Sequence, residues 1–242
     1  MTNSSAQPRR PAIAAIVPAY NEERSIAAVV EALCGVESLD EIILVDDGSK
    51  DRTLALMRQA AQKDPRIRVI AHETNLGKGQ AIFSAWATTT APTIVMLDAD
   101  LHALTPGHVR ALSAPVLDRR ADMTLGLFWG GHIHTDFSSW GAPFLTGQRG
   151  LRASILKHVS REAAQGYGFE IALTIAAHKN GYRSRAVPLE GVWHPTSEFH
   201  RGFWSGMKWR ARMYAQILRA WYVATLEEHP NAKAFLSNIT KP

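Results

Sequence analysis

Apolar positions in this chain fall into short runs separated by stretches of helical period. Ile13–Val17, Ile42–Val45, Ile67–Ala71 and Thr93–Leu97 are nearly all apolar. Between them, Ser25–Leu33, Asp51–Ala61 and Gln80–Ala87 repeat apolar residues at helical spacing. A strand that is apolar on both faces has to be covered on both faces. The alternation therefore predicts an α/β fold, a mostly parallel, Rossmann-like sheet flanked by helices. Further on, Met123–Phe128 and Ser184–Pro188 read as strands, and Gly168–His178 and Phe203–Leu226 as helices. Residues 129–145 have no period and are rich in Gly, His and aromatics, which predicts a substrate loop. Residues 1–10 are expected to be a flexible tail.

The polar residues concentrate where the predicted strands end. VPAYNEE (17–23) follows the first, DDGSKD (46–51) the second and DAD (98–100) the fourth. In open parallel sheets, ligands bind beyond the carboxyl ends of the strands. Pro18 and Tyr20 offer a rigid edge and an aromatic to a nucleobase or ribose, although a plain loop and helix start explains the segment equally well. In DDGSKD, helix capping accounts for Ser49 and Asp51 but leaves Asp46 and Asp47 over, as acceptors for base or ribose. NLGKGQA (75–81) sets Lys78 between glycines just before a helix, a pattern suited to an anion. It lacks Walker A spacing, and no G-x-G-x-x-G follows the first strand. Asp98 and Asp100 repel each other unless a divalent cation, a basic side chain or open water relieves them, and hard oxygen donors of this kind suit Mg²⁺ or Mn²⁺.

Composition narrows the classes. The 242 residues are 46% apolar and 20% charged, which is ordinary for a globular chain, and the net charge of +5 favours anionic partners. The lone Cys34 excludes an intramolecular disulfide and fits a reducing, cytoplasmic compartment. No apolar run reaches membrane-spanning length. The basic residues form no recognisable nucleic-acid-binding module, so nucleic acid is not an expected partner.

Taken in order, VPAYNEE, VDDGSKD, NLGKG and DAD resemble the nucleotide-binding half of GT-A-fold glycosyltransferases, especially the large inverting family 2, over roughly residues 12–125. The resemblance implies a nucleotide diphosphate sugar donor. Pro18, Tyr20, Glu22, Asp46 and Asp47 would frame its nucleoside, with Lys78 and Asp98 at its diphosphate. Asp98 and Asp100 would hold a divalent metal, and Asp100 and Lys78 would carry catalysis. PFLTGQRGLRASI (143–155) resembles a stretch of polyprenyl-phosphate sugar transferases, which implies acceptor binding by Gln148, Arg149 and Arg152. GYGFEIALTI (166–175) and VWH (192–194) resemble the retaining glucosyl-3-phosphoglycerate synthases. That comparison puts Glu170 beside the reacting sugar and makes His194 a third metal ligand. The synthases continue with Arg-Asn after this histidine, where the present chain has Pro195-Thr196.

The expected organisation is a tail (1–10), a donor-binding half (11–125), an acceptor-binding half of the same domain (126–200) and a C-terminal amphipathic helix and tail (201–242). In that helix Arg201, Lys208, Arg212 and Arg219 share one face beside a broad apolar face. Two readings fit: an interfacial helix on anionic lipid, giving peripheral contact at the inner membrane face, or packing onto the domain. His102 reads as a surface or supporting residue, and His132 and His134 as neighbours of substrate. Glu170 and Asp136 are the candidate bases for a hydroxyl acceptor. The alternatives are a sugar nucleotidyltransferase and a non-catalytic nucleotide- or membrane-binding module. The oligomeric state is left open, a homodimer included.

Overall fold

A computed structural model describes residues 12–130, 145–164 and 168–194. The expected tail, the expected loop with His132, His134 and Asp136, and the expected C-terminal helix lie outside the described residues.

Seven strands form one sheet in the order β3-β2-β1-β4-β6-β5-β7. They are β1 (Ile13–Ala19), β2 (Glu41–Asp46), β3 (Ile67–Ala71), β4 (Thr93–Met96), β5 (Met123–Trp129), β6 (Arg149–Arg152) and β7 (Ser184–Glu190). The expected parallel sheet is present: β1 runs parallel to β2 and β4, β2 to β3, and β5 to β7. The short β6 is antiparallel to both β4 and β5. Strands from both halves of the chain thus share a single sheet.

Alternate residues of the central strands feed two cores. On one face Ala15, Val17, Ile42 and Leu44 meet Ile26, Val29 and Leu33 of α1 (Ile26–Cys34), Met57 of α2 (Thr53–Ala61) and Val109 and Leu112 of α4 (Pro106–Leu117). On the other, Ile16, Ile43, Ile94 and Met96 meet Ile82 and Phe83 of α3 (Lys78–Trp86) and Phe169 and Leu173 of α5 (Phe169–Lys179). Truncating one such residue, Leu44 or Leu173, to alanine costs about 2–5 kcal/mol.

Two elements were not anticipated from the pattern. In α4, Pro115 interrupts the helical reading, yet Thr105 caps the start through the His108 amide and Pro106 opens the first turn. In β6, RGLR has a single large apolar side chain and becomes a strand because β4 and β5 supply both its neighbours.

The topology opens the cleft. β1 stays paired with β2 as far as Ala19↔Asp46, but its pairing with β4 ends at Ile16↔Met96. One more bond follows, from the Leu97 amide to the Ile16 carbonyl at 3.1 Å. Beyond it, the segments bearing Pro18–Glu22 and Asp98–Asp100 diverge, where strand order reverses about β1. No helix among the described residues is long and apolar enough to cross a membrane.

Candidate active site

The crevice between β1 and β4 is a cavity of about 570 Å³. Pro18, Tyr20, Glu22, Asp47, Lys78, Asp98, Asp100 and Glu170 line it, all singled out from sequence, together with Asn75, Gly77 and Leu145. Tyr20 is 45% exposed at its rim, leaving an aromatic face open.

The loops of the first half are held by each other. The Asn21 amide donates to Ser49 Oγ at 3.0 Å, the Glu22 amide to Thr53 Oγ1 at 2.8 Å and the Glu23 amide to Asp51 Oδ2 at 3.2 Å. Ser49 therefore secures the neighbouring loop rather than capping α2. Asp47 is buried and holds the loop that carries Lys78. It accepts from the Leu76 and Gly77 amides at 2.9 and 2.8 Å, and its Oδ1 lies 2.7 Å from His72 Nδ1. Gly48 makes this stacking possible: its φ is +76°, and a Cβ there would sit 2.6 Å from the Thr74 carbonyl carbon. Asp46 does not line the cavity. It is buried, its Oδ2 accepts from the Ser49 amide at 3.3 Å, and its Oδ1 has no partner among the described residues.

At the centre, Lys78 Nζ lies 2.5 Å from both Asp98 Oδ1 and Glu170 Oε1. Gln148 clasps Asp98 from the other side, its Nε2 donating to Oδ2 at 2.7 Å while its Oε1 accepts from the Asp98 amide at 2.9 Å. Burial alone would lower the Lys78 ammonium, but the two carboxylates reverse that and hold it well above its usual value. Burial would raise Asp98, yet the charge and hydrogen bond of Lys78 and the Gln148 amide hold it low. Asp100 goes the opposite way: burial and then repulsion from Asp98 push it up, against a smaller pull from His194 and Lys78. Glu22 is raised to about 7 by burial and by Asp100, Asp51 and Asp98, despite the Ser25 hydroxyl bond. One carboxylate of the DAD pair is thus neutralised within the protein, and the other is not.

His194 reaches this pair from the far end of the sequence. The His102 amide donates to the Trp193 carbonyl at 2.8 Å, and the Trp193 amide returns a bond to His102 at 3.3 Å. The two rings stack at 4.3 Å with 13° between their planes. His102 thereby fastens the VWH segment to the DAD turn, with the His194 ring packed against Phe128. Among the described residues, no three His, Cys, Asp or Glu side chains converge as a ready-made metal site. Both Asp98 oxygens are engaged by Lys78 and Gln148, whereas Asp100 is left repelled by Asp98 and drawn toward His194. A carboxylate crowded by its neighbour and set in the field of an imidazole fits a divalent cation.

Comparison with known proteins decides the family. Residues 14–186 match the model of Glycosyl transferase family 2. The chain belongs to this family. It is similar to a dolichyl-phosphate beta-glucosyltransferase of Trichomonas vaginalis, 35% identical over 94 residues, covering 35% of this chain and 28% of that protein. It is also similar to an undecaprenyl-phosphate 4-deoxy-4-formamido-L-arabinose transferase of Pectobacterium carotovorum, 38% identical over 95 residues, covering 37% and 29%. The match thus spans under a third of each relative. Among solved structures, a glucosyl-3-phosphoglycerate synthase of Mycobacterium tuberculosis, in complex with Mn²⁺, UDP-glucose and phosphoglyceric acid, aligns over 88% of this chain and 79% of its own. Its TM-score is 0.70 at 22% identity, a likeness of fold.

In this family 2 chain, the residues expected to bind acceptor need correction. Arg149 is fully buried, donating to the Thr146 carbonyl at 2.9 Å, to Thr174 Oγ1 at 2.9 Å and to the Glu170 carbonyl at 3.1 Å. Burial lowers its guanidinium to about 10, still cationic at neutral pH. It ties β6 to the start of α5 and does not face a lipid phosphate. Arg152 pairs with Thr93 at the opposite end of β4 from the cleft and binds Asp122 at 3.2 Å. Gln148, 2% exposed, orients Asp98. Sequence reading also missed Gly147, where a Cβ would lie 2.5 Å from Lys78 Nζ and collide with the Asp98 carboxylate. It missed His72 as well, whose Nδ1 meets Asp47 and whose Nε2 lies 3.0 Å from Ser84 Oγ. Gly147 precedes β6 and His72 directly follows β3, but nothing in the sequence alone singles either out, so only the contact reveals it.

Proposed function

We propose that the chain transfers a sugar from a nucleotide diphosphate sugar to a phosphorylated acceptor, with Mg²⁺ or Mn²⁺ as cofactor. The observation that carries this reading is the split DAD pair, Asp98 neutralised by Lys78 and Asp100 left repelled beside His194. Asp100 and His194 would hold the cation, joined by Asp98 once Lys78 turns away. When bound, the cation supplies positive charge to the diphosphate.

Tyr20 and Pro18, both in the cavity wall, would frame the nucleoside. As the bond between sugar C1 and the diphosphate oxygen breaks, charge grows on the leaving group. Lys78 keeps its proton firmly and so meets that charge as a fixed cation, not as an acid. The acceptor oxygen then bonds to C1. Among the described residues, Glu170 is the candidate base and is engaged by Lys78, which favours an acceptor that is already anionic. The relatives' names, for dolichyl and undecaprenyl phosphates and for phosphoglycerate, agree in offering a phosphate. Residues 11–125 would serve the donor and 126–200 the acceptor, at the cytoplasmic membrane surface if that acceptor is a lipid.

The test is thermal stabilisation by a panel of nucleotide diphosphate sugars with and without Mn²⁺, followed by transfer to undecaprenyl phosphate and to 3-phosphoglycerate. Metal-dependent stabilisation by a donor and transfer to one phosphate acceptor are expected. Release of pyrophosphate, or neither stabilisation nor transfer across the panel, overturns the reading.

A further inference from the structure

A second cavity, of about 750 Å³, lies at the other end of the sheet. Trp86 and Ala87 at the end of α3, Pro92 just before β4, and Arg152 at the end of β6 contribute to its walls. Lys157, in the 3₁₀ helix Ala153–His158, and Arg161 complete them. Six residues of near-extended chain separate Pro92 from Asp98, roughly 20 Å at strand rise. The catalytic cleft does not extend this far, and no step of the proposed reaction uses these residues.

Three cations and no carboxylate line this cavity. The Arg161 guanidinium lies 4.7 Å from the centre of the Phe83 ring, which holds the planar fork in place while its N–H groups remain available. Neither Lys157 nor Arg161 forms an ion pair among the described residues. Arg152 has Asp122, but Asp122 also takes Arg183 at 3.1 Å, so one carboxylate serves two guanidinium groups. Ser154 Oγ accepts from the Tyr182 hydroxyl at 3.2 Å, leaving its own proton to donate. Of the other acids nearby, Glu41 is bound by Thr89 and Arg68, and Glu162 lines the neighbouring cavity, to whose wall Phe83 and Arg161 also contribute. Capping of α3 does not explain the cations either. Its last carbonyls are taken by the Ala87, Thr88 and Thr89 amides.

We propose that this basic cleft is a second anion site, built for a phosphate group. An uncompensated, pre-oriented guanidinium beside an ammonium and a hydroxyl donor matches the tetrahedral oxygens of a phosphate ester. The phosphate belongs either to a soluble molecule or to a phospholipid headgroup.

Two probes separate these sources: inorganic phosphate, followed by calorimetry, and phosphatidylcholine vesicles with and without phosphatidylglycerol, followed by sedimentation. The test variant carries Lys157→Glu and Arg161→Glu, both exposed positions. The control carries Arg58→Glu on α2 and Lys63→Glu just beyond its end, which change net charge equally. Thermal melting checks folding, and the milder pair Lys157→Ala and Arg161→Gln replaces the test variant if it melts early. Binding of at least one probe is expected to weaken about tenfold or more in the test variant and less than about twofold in the control. A loss confined to phosphate identifies a soluble ligand, and a loss confined to phosphatidylglycerol vesicles identifies a headgroup. Equal behaviour of the two variants with both probes, or no binding of either probe by the unaltered protein, overturns the proposal.

Discussion

The two halves of the sheet build the cleft in different ways. In the first half, β1, β2 and β4 each end in a turn whose polar residues enter the site together, held by bonds between adjacent turns, such as Asn21 to Ser49 and Asp47 to Gly77. In the second half, single residues arrive from unrelated elements: Gln148 from the approach to β6, Glu170 from the first turn of α5, and His194 through the His102–Trp193 bridge. The first half is therefore a set of local motifs. The second is a set of long-range contacts that decide how the acids of the first are charged. Lys78 and Asp98 belong to the first half, yet Asp98 is kept low by Gln148 as well as Lys78, and Asp100 feels His194.

Substitutions can break this division of labour, the largest effect coming from the first half. Asp100→Ala should cut transfer by about a thousandfold with melting temperature little changed, checked by turnover and thermal denaturation side by side. From the second half, Gly147→Ala should come next. Its new Cβ displaces the Lys78–Asp98 pair, so activity should fall about a hundredfold while stability drops by about 1–3 kcal/mol, measured by denaturant titration. His102→Ala keeps all acids but loosens the VWH segment. The Mn²⁺ concentration for half-maximal activity should rise about tenfold, with little change at saturating metal.

A stability effect without a motif is expected at Arg149. Arg149→Met removes the bonds to the Thr146 carbonyl, to Thr174 Oγ1 and to the Glu170 carbonyl, which keeps the Thr174 hydroxyl, and should cost about 3 kcal/mol by denaturant titration, more than any exposed arginine. The smallest effect is a pH dependence. Glu22 has a folded pKa of about 7, above its unfolded value, so the folded state holds the proton more tightly. Its contribution is full below about 4.5 and is lost as pH rises to about 7. Glu22→Gln should therefore raise the melting temperature at pH 8 by roughly 2–4 °C and leave it unchanged near pH 4, about 1 kcal/mol after solvent screening.

The first-half site was legible because its side chains sit at or in the turns that lead from a strand's carboxyl end to the next helix, so the local backbone fixes where they gather. Pro18, Tyr20, Glu22, Asp47, Lys78, Asp98 and Asp100 all reached the cavity lining this way. The second half was legible only where resemblance named single residues, Glu170 and His194. It misled at Arg149 and Arg152, because one arginine of β6 is swallowed by the core and the other lies at the far end of the strand. Strand β6 itself was missed, since RGLR is a strand by virtue of its neighbours and not its composition.

By itself, the sequence determined the parallel α/β architecture, the two helical layers and the line of strand ends along which the acids gather. These follow from local periodicity, which the chain carries within a few residues. Only the tertiary structure decided that Asp98 is neutralised and Asp100 is not, that His102 supports the site by stacking on Trp193, and that three cations converge beyond the opposite ends of the strands. Charge states and convergence depend on distances between residues far apart in sequence, and burial magnifies those interactions where water is excluded.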